Sequence, residues 1–338
     1  MSIAAFIILA AMIAVYVILD GFDLGVAAIT PFIARSESER AASMHAIGPF
    51  WNGNEVWLIA AGGALFAFFP KAYASAFSGF YLPFIIVLWM LMFRGIALEL
   101  RGHFPTRIWH DFWDFCFTVS STLLILLFGV ALGNLLHGVP LDTNGYFLGT
   151  FGVLLNPYAL GVGILAVLTI ALEGAAFIML RIDGAPAVRA AKLAIPLWWL
   201  VLIAYVAVTI ATFSMHFSER LAQTAAYGAI LPGMLIVLSL AALIAGYFAF
   251  IRKAAWFAFL SVCAFLGFLL VAAAATLYPY LLPSFPSGNG ISIFDASPSP
   301  AALLTALVAV IAGLCITIIY AGTVFPRFFE KGNRLIKP

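Results

Sequence analysis

Charge is what this sequence has least of. Only 9% of its 338 residues are Asp, Glu, Lys or Arg, against about 25% in soluble domains. A water-exposed globular fold is excluded before any motif is read. With 16 Lys and Arg against 14 Asp and Glu, the net charge of +2 is too small for a nucleic-acid binder, and the basic residues form no groove-like run. Cysteine is nearly absent. Cys116, Cys263 and Cys315 lie in apolar runs without CxxC or Cys/His spacing, which points to plain burial. No HExxH, Walker sequence or GxGxxG-plus-acid unit occurs. Met1 to Ala11 lacks the basic stretch of a cleavable signal, and its apolar run continues toward Asp20, so it reads as a first membrane helix.

What is present is apolar: 65% of the chain is hydrophobic. The pattern predicts one integral membrane domain over 1–338, all-α, with nine spans near 3–34, 49–69, 74–100, 113–136, 157–181, 190–214, 222–250, 254–280 and 301–325. Each is close to the ~20 residues a bilayer needs. Breakers mark the boundaries: Pro49 opens the second span, Pro70 closes it, Asn156-Pro157 opens the fifth, and Phe325-Pro326 closes the ninth. This division puts all but three of the 16 Lys and Arg residues on one side, the exceptions being Lys71, Arg220 and the intraspan Arg94. The positive-inside rule then sets the N-terminus outside and the C-terminus in the cytoplasm. The two long outer loops carry turn signals, at Asp142-Thr143-Asn144-Gly145 and Pro286-Ser287-Gly288-Asn289-Gly290.

The chain is organised around Pro49–Arg101, an apolar hairpin predicted to turn at Phe69-Pro70-Lys71. Its two ends carry Asn52, Asn54, Glu55, Arg94 and Glu99. A charge at the centre of a membrane helix costs about 2.5–3.5 kcal/mol on insertion scales, so such residues usually have a partner and a task. Asp20 and Asp23 follow a long apolar run and lie three apart, on one helix face. Asn52 and Glu55 are likewise three apart. With Glu173 in the inner half of the fifth span, the acids form a layer reaching inward from the cytoplasmic side. That layer is a candidate proton or cation route, with Arg94 the obvious ion-pair partner; structural ion pairing is the plainer alternative. Asp111 and Asp114 read as helix-start acids suited to the macrodipole. Gly21 and Gly25 form a GxxxG step, which by itself signals close helix packing.

Histidine supplies the useful negative. His45, His103, His110, His137 and His216 all fall in loops or at span ends, none of them deep enough to be an axial ligand to a buried haem. The sequence therefore offers no catalytic centre, haem ligand or metal site of its own. Trp57, Phe66, Phe68 and Phe69 are candidates for a quinone or lipid groove, though lipid-facing and core-filling roles are the plainer reading of the aromatics.

Several stretches carry a family resemblance. They are Leu19-Asp20-Gly21-Phe22-Asp23-Leu24-Gly25, Trp51-Asn52-Gly53-Asn54-Glu55-Val56-Trp57-Leu58, Ala61-Gly62-Gly63-Ala64-Leu65-Phe66, Ser78-Gly79-Phe80-Tyr81-Leu82-Pro83 and Phe93-Arg94-Gly95. The chain resembles subunit II of the cytochrome bd-type quinol oxidases over nearly its whole length. The resemblance implies two four-helix bundles plus a peripheral helix, in a prokaryotic plasma membrane, packed against a haem-bearing subunit I. That partner would hold haem b, haem d and the quinol site, with quinol oxidised at the outer face and oxygen reduced to water with cytoplasmic protons. A small single-span third subunit is compatible with it. Acids matching Asp20, Asp23 and Glu99, and an Asp at the position of Asn52, serve proton uptake in that family. Here Asn52 replaces the acid. An amide exchanges no proton near neutral pH, so Glu55, one turn on, is the candidate to take over. Two other readings stay open from the residues: a proton-coupled secondary transporter, and a scaffold that only stabilises the haem subunit.

Overall fold

In the computed structural model, residues 1–224, 230–285, 288 and 290–329 are described, without the side chains of 216–224 and 324–329. The chain forms α1 (Ser2–Ile33), α2 (Glu37–Ile47), α3 (Trp51–Phe68), α4 (Pro70–Gly79), α5 (Tyr81–Leu100) and a 3-10 turn at Arg101–His103. It continues through α6 (Arg107–His137), α7 (Phe151–Leu154), α8 (Pro157–Arg181), α9 (Ala185–Thr224), α10 (Ile230–Ile251) and α11 (Ala255–Leu277). A short antiparallel pair, β1 (Tyr280–Leu282) and β2 (Ile291–Ser292), then leads to α12 (Ile293–Ala296) and α13 (Pro300–Phe329).

Eight of these helices are long and apolar enough to cross a membrane. The predicted second span is not among them. Its helix, α3, has 18 residues, about 27 Å at 1.5 Å per residue, but Asn52, Asn54 and Glu55 occupy its first turns. Helices α1, α3, α5 and α6 pack together as one bundle and α8, α9, α10 and α11 as a second, while α13 lies against α3 at the periphery. Helices α1 and α8 join the bundles, with α6 and α11 alongside.

Four expectations need correction. The predicted span 74–100 is broken at Phe80, dividing α4 from α5. Pro83 lacks an N–H and is best accommodated in the first turn of a helix, and Phe147 packs where a Gly79 side chain would be. Second, α6 begins at Arg107 rather than 113, so Asp111 and Asp114 are not helix-start acids. Asp111 pairs with Arg40 at 3.2 Å and Arg107 at 3.4 Å, and Asp114 with Arg40 at 3.0 Å and Arg101 at 2.6 Å. Third, residues 37–47, expected as loop, form α2. A capping box at Ser36 and Glu39 starts that helix, and the Ser-x-x-Glu spacing was its sequence signal. Fourth, α9 and α13 run beyond their predicted ends, 214 and 325. The turn reading at 286–290, the predicted start of the seventh span, the side chains of Arg220, Arg327 and His216, and Lys331, Arg334 and Lys337 lie wholly or partly outside the described residues.

The basic end of the molecule is tied by charge. Glu39 of α2 meets Arg189 of α9 at 2.5 Å, and the Arg189 Nε donates to the Ile33 carbonyl closing α1, also at 2.5 Å. Hydrogen bonding to Arg189 above all, then to the Arg35 amide, holds the Glu39 carboxyl down at about 2. The opposite end is tied by backbone. Val139 and Ser284 form a parallel bridge, and the Asp142 carboxylate accepts from the Asn144 and Tyr146 amides at 2.9 and 2.7 Å. Gly145, at φ +89°, takes the left-handed conformation that this turn requires.

Candidate functional site

Arg94 of α5 is fully buried, and two fully buried acids from α1 face it. Its two terminal nitrogens grip both oxygens of Asp20, at 2.8 Å and 2.5 Å. This forked geometry is the strongest arrangement available to an arginine and a carboxylate. Asp23, one turn along α1, has its Oδ2 3.8 Å from Arg94. Glu55 of α3 approaches the same guanidinium at 3.4 Å, and its side chain keeps 24% exposure. Three carboxyls therefore surround one cation.

The amide of Asn54, also fully buried, donates to Asp23 Oδ2 at 2.8 Å and to the Leu19 carbonyl at 2.9 Å. It fastens α3 to α1 and orients Asp23. Several buried polar atoms have no hydrogen-bond partner among the described residues: Asp23 Oδ1, Asn54 Oδ1 and the Arg94 Nε. Asp20 is thus bound at both oxygens, whereas Asp23 keeps one oxygen free.

The structure brings Asp20, Asp23, Glu55 and Arg94 together and leaves Asn52 and Glu99 outside. Asn52 is exposed in the first turn of α3, and Asn54, two residues on, is the buried amide. Glu99 is exposed, five residues from Arg94, which turns it about 140° round the helix. The sequence reasoning named Asn54 among the polar residues of the hairpin but gave it no role in the site. Its signal was present, because it lies about 100° from Glu55 on the same polar turn. Of the four aromatics considered for a quinone or lipid groove, Trp57, Phe68 and Phe69 belong to the core between α1, α3 and α13. Phe66 is exposed and packs edge-on against Tyr73.

Among the described residues no group of three or more His, Cys, Asp and Glu could hold a metal ion. His45 and His103 are exposed, His110 pairs with Glu37 at 2.5 Å, and His137 ends α6 between Tyr158 and Phe285. These positions do not fit axial ligation of a haem within the bundles.

Fold and site together define a polytopic helical membrane protein with a buried cluster of one arginine and three carboxyls. The family model for cytochrome bd terminal oxidase subunit II matches residues 1–328, and the chain belongs to that family. It is 42% identical over 173 residues to cytochrome bd-I ubiquinol oxidase subunit 2 of Escherichia coli (strain K12), covering 50% of this chain and 46% of that one. It therefore aligns with about half the length of that relative. Cytochrome bd ubiquinol oxidase subunit 2 of Bacillus subtilis (strain 168) is 37% identical over 202 residues, 60% of each chain. A chain in the structure of bd oxidase from Geobacillus thermodenitrificans has the same fold, with a TM-score of 0.79 at 19% identity over 98% of this chain and 99% of that one.

Proposed function

We propose that this chain is the haem-free second subunit of a bd-type quinol:oxygen oxidoreductase. It stabilises a haem-bearing partner and conducts protons from the cytoplasm toward the site where oxygen becomes water. Quinol is the electron donor, and haem b and haem d belong to the partner. The single observation that carries the proton role is the buried guanidinium of Arg94 ringed by Asp20, Asp23 and Glu55. The basic end faces the cytoplasm by the positive-inside rule. On that orientation the N-terminus is outside, the C-terminus inside, and the cluster sits in the cytoplasmic half.

On this reading the labour is divided. Asp20, held at both oxygens, is the fixed counterion. Glu55, partly exposed and more loosely held, takes up the proton. Asp23 receives it on its free Oδ1 while Asn54 steadies Oδ2. In that step the O–H bond on Glu55 breaks and one forms on Asp23, and Arg94 stabilises whichever carboxylate remains. Asn52 and Glu99 act, on this reading, at the surface that a partner would cover.

The test is oxygen consumption of the purified complex at saturating quinol, normalised to haem. Losing an obligatory acid–base relay costs about 10²–10⁴-fold. Glu55→Gln and Asp23→Asn are expected to slow turnover on that scale with haem content unchanged, and Asn52→Asp to be tolerated. Wild-type turnover in both neutral variants would leave this chain a scaffold.

A further inference from the structure

Glu173 is a buried acid with no described cation beside it. It sits in α8, fully buried. The Cys263 thiol of α11 donates to its Oε1 at 3.5 Å, while its Oε2 has no hydrogen-bond partner among the described residues. That oxygen fills the notch left by Gly21, where a Cβ would collide with it. Asp20 and Asp23 flank Gly21 on α1, so the notch that takes this oxygen lies between the two acids in the sequence.

The sequence repeats at this contact. Leu19-Asp20-Gly21 in α1 recurs as Leu172-Glu173-Gly174 in α8. The two helices meet through their glycines: a Cβ on Gly25 would strike the Ile170 carbonyl and come within 2.8 Å of the Gly174 nitrogen, and one on Gly174 would strike Gly25. The second bundle thus reproduces the acid without reproducing its arginine. A carboxylate taken out of water without a partner costs several kcal/mol, and Arg94 already faces three carboxyls. The neutral acid avoids that cost. A thiol donating to Oε1 suits the carbonyl oxygen of such an acid, with the exchangeable proton on Oε2.

We infer that Glu173 is a proton-holding residue of the buried cluster, resting as the neutral acid in the Gly21 notch and exchanging its proton with Asp23. The inference rests on the proton-conducting reading above. In the transfer the Oε2–H bond of Glu173 breaks and an O–H bond forms on the Asp23 carboxylate. The Glu173 carboxylate left behind takes the next proton to reach the cluster. The second bundle then serves as a proton store beside the route rather than a link within it.

Infrared redox-difference spectra of the purified complex, in H2O and in D2O, test this. The carbonyl band of one protonated carboxyl is expected in the wild type, lost in Glu173→Gln and shifted in Cys263→Ala, which keeps the acid but removes its thiol. Turnover in D2O is expected to lower the band frequency. Two results overturn the inference: no band that responds to either substitution, or a band unmoved by D2O, which marks a sealed structural acid. Should Glu173→Gln fail to assemble, Cys263→Ala and the isotope shift decide alone. Turnover of Glu55→Gln, measured alongside, separates the two ideas. Slow turnover with no Glu173 band removes the store and keeps the route; an exchanging band with unchanged turnover keeps the store and removes the route.

Discussion

Removing the buried cation is expected to harm this protein more than removing the anion it grips. Replacing Asp20 with Asn takes away charge-assisted hydrogen bonds worth about 1.5–3 kcal/mol to Arg94. The guanidinium still has Glu55 at 3.4 Å and Asp23 at 3.8 Å, so its charge is not stranded. Replacing Arg94 with Gln leaves Asp20, Asp23 and Glu55 without any cation, and stranding a buried charge costs about 3–5 kcal/mol. Asp20→Asn in the Arg94→Gln background is then expected to recover part of that loss, because one fewer carboxyl remains to be neutralised. The coupling between the two sites falls in the range of 0.5–3 kcal/mol found for residues in direct contact. Thermal unfolding of the detergent-solubilised complex, followed by size-exclusion chromatography, gives the order. If Arg94→Gln melts no lower than Asp20→Asn, or if the two effects simply add, the cluster is not held by its single cation and the electrostatic reasoning is wrong.

Other outcomes can be checked more quickly. Gly25→Ala is expected to weaken the joint between the bundles by at least the 1–3 kcal/mol typical of overpacking, since the added methyl meets backbone rather than a movable side chain. Gly53→Ala, where nothing lies within 4 Å, is the control, and equal melting of both variants would refute the contact. The Glu39 carboxyl is depressed from 4.5 to about 2, so its contribution is fully present above about pH 4.5 and is lost as pH falls through about 2. Partly exposed as it is, it contributes about 0.2–1 kcal/mol. Glu39→Gln is expected to be less stable than the wild type at neutral pH and to converge on it near pH 2, as read by acid unfolding. A cysteine placed at Asn144 is expected to react in intact cells with a membrane-impermeant thiol reagent added from outside; its protection there would reverse the orientation.

Much of the architecture was legible because hydropathy and proline dominate helix placement in a bilayer. The fifth predicted span, 157–181, coincides with α8 because Pro157 follows the Asn156 cap and Arg181 ends the apolar run. Asp20 and Arg94 stood out as charges in apolar surroundings, where burial forces pairing. Asn54 was harder to find, because Asn52, Asn54 and Glu55 share one turn and only tertiary packing decides which of them faces α1. Glu99 shares the polar end of its helix with Arg94, but helical rotation carries it to the exposed face of α5. The break at Phe80 was marked by Pro83, yet an apolar run continues across it and hides it from any hydropathy window. The paired role of Asp111 and Asp114 depended on α2, whose polar sequence gives no membrane signal at all.

The glycine contact between α1 and α8 acts as a length standard for the chain. Gly21 and Gly25 must meet α8 while Asp20 and Asp23, interleaved with them, meet Arg94 and Asn54. One residue inserted between Asp20 and Gly25 would rotate everything beyond it by about 100° and advance it by about 1.5 Å. Either the acids or the glycines would then lose their partners. Insertions near Gly145, by contrast, fall in a turn at the far end of the molecule and leave this register untouched. Length variation among relatives is therefore expected to collect in the loops of that end, with none tolerated across the six residues from Asp20 to Gly25.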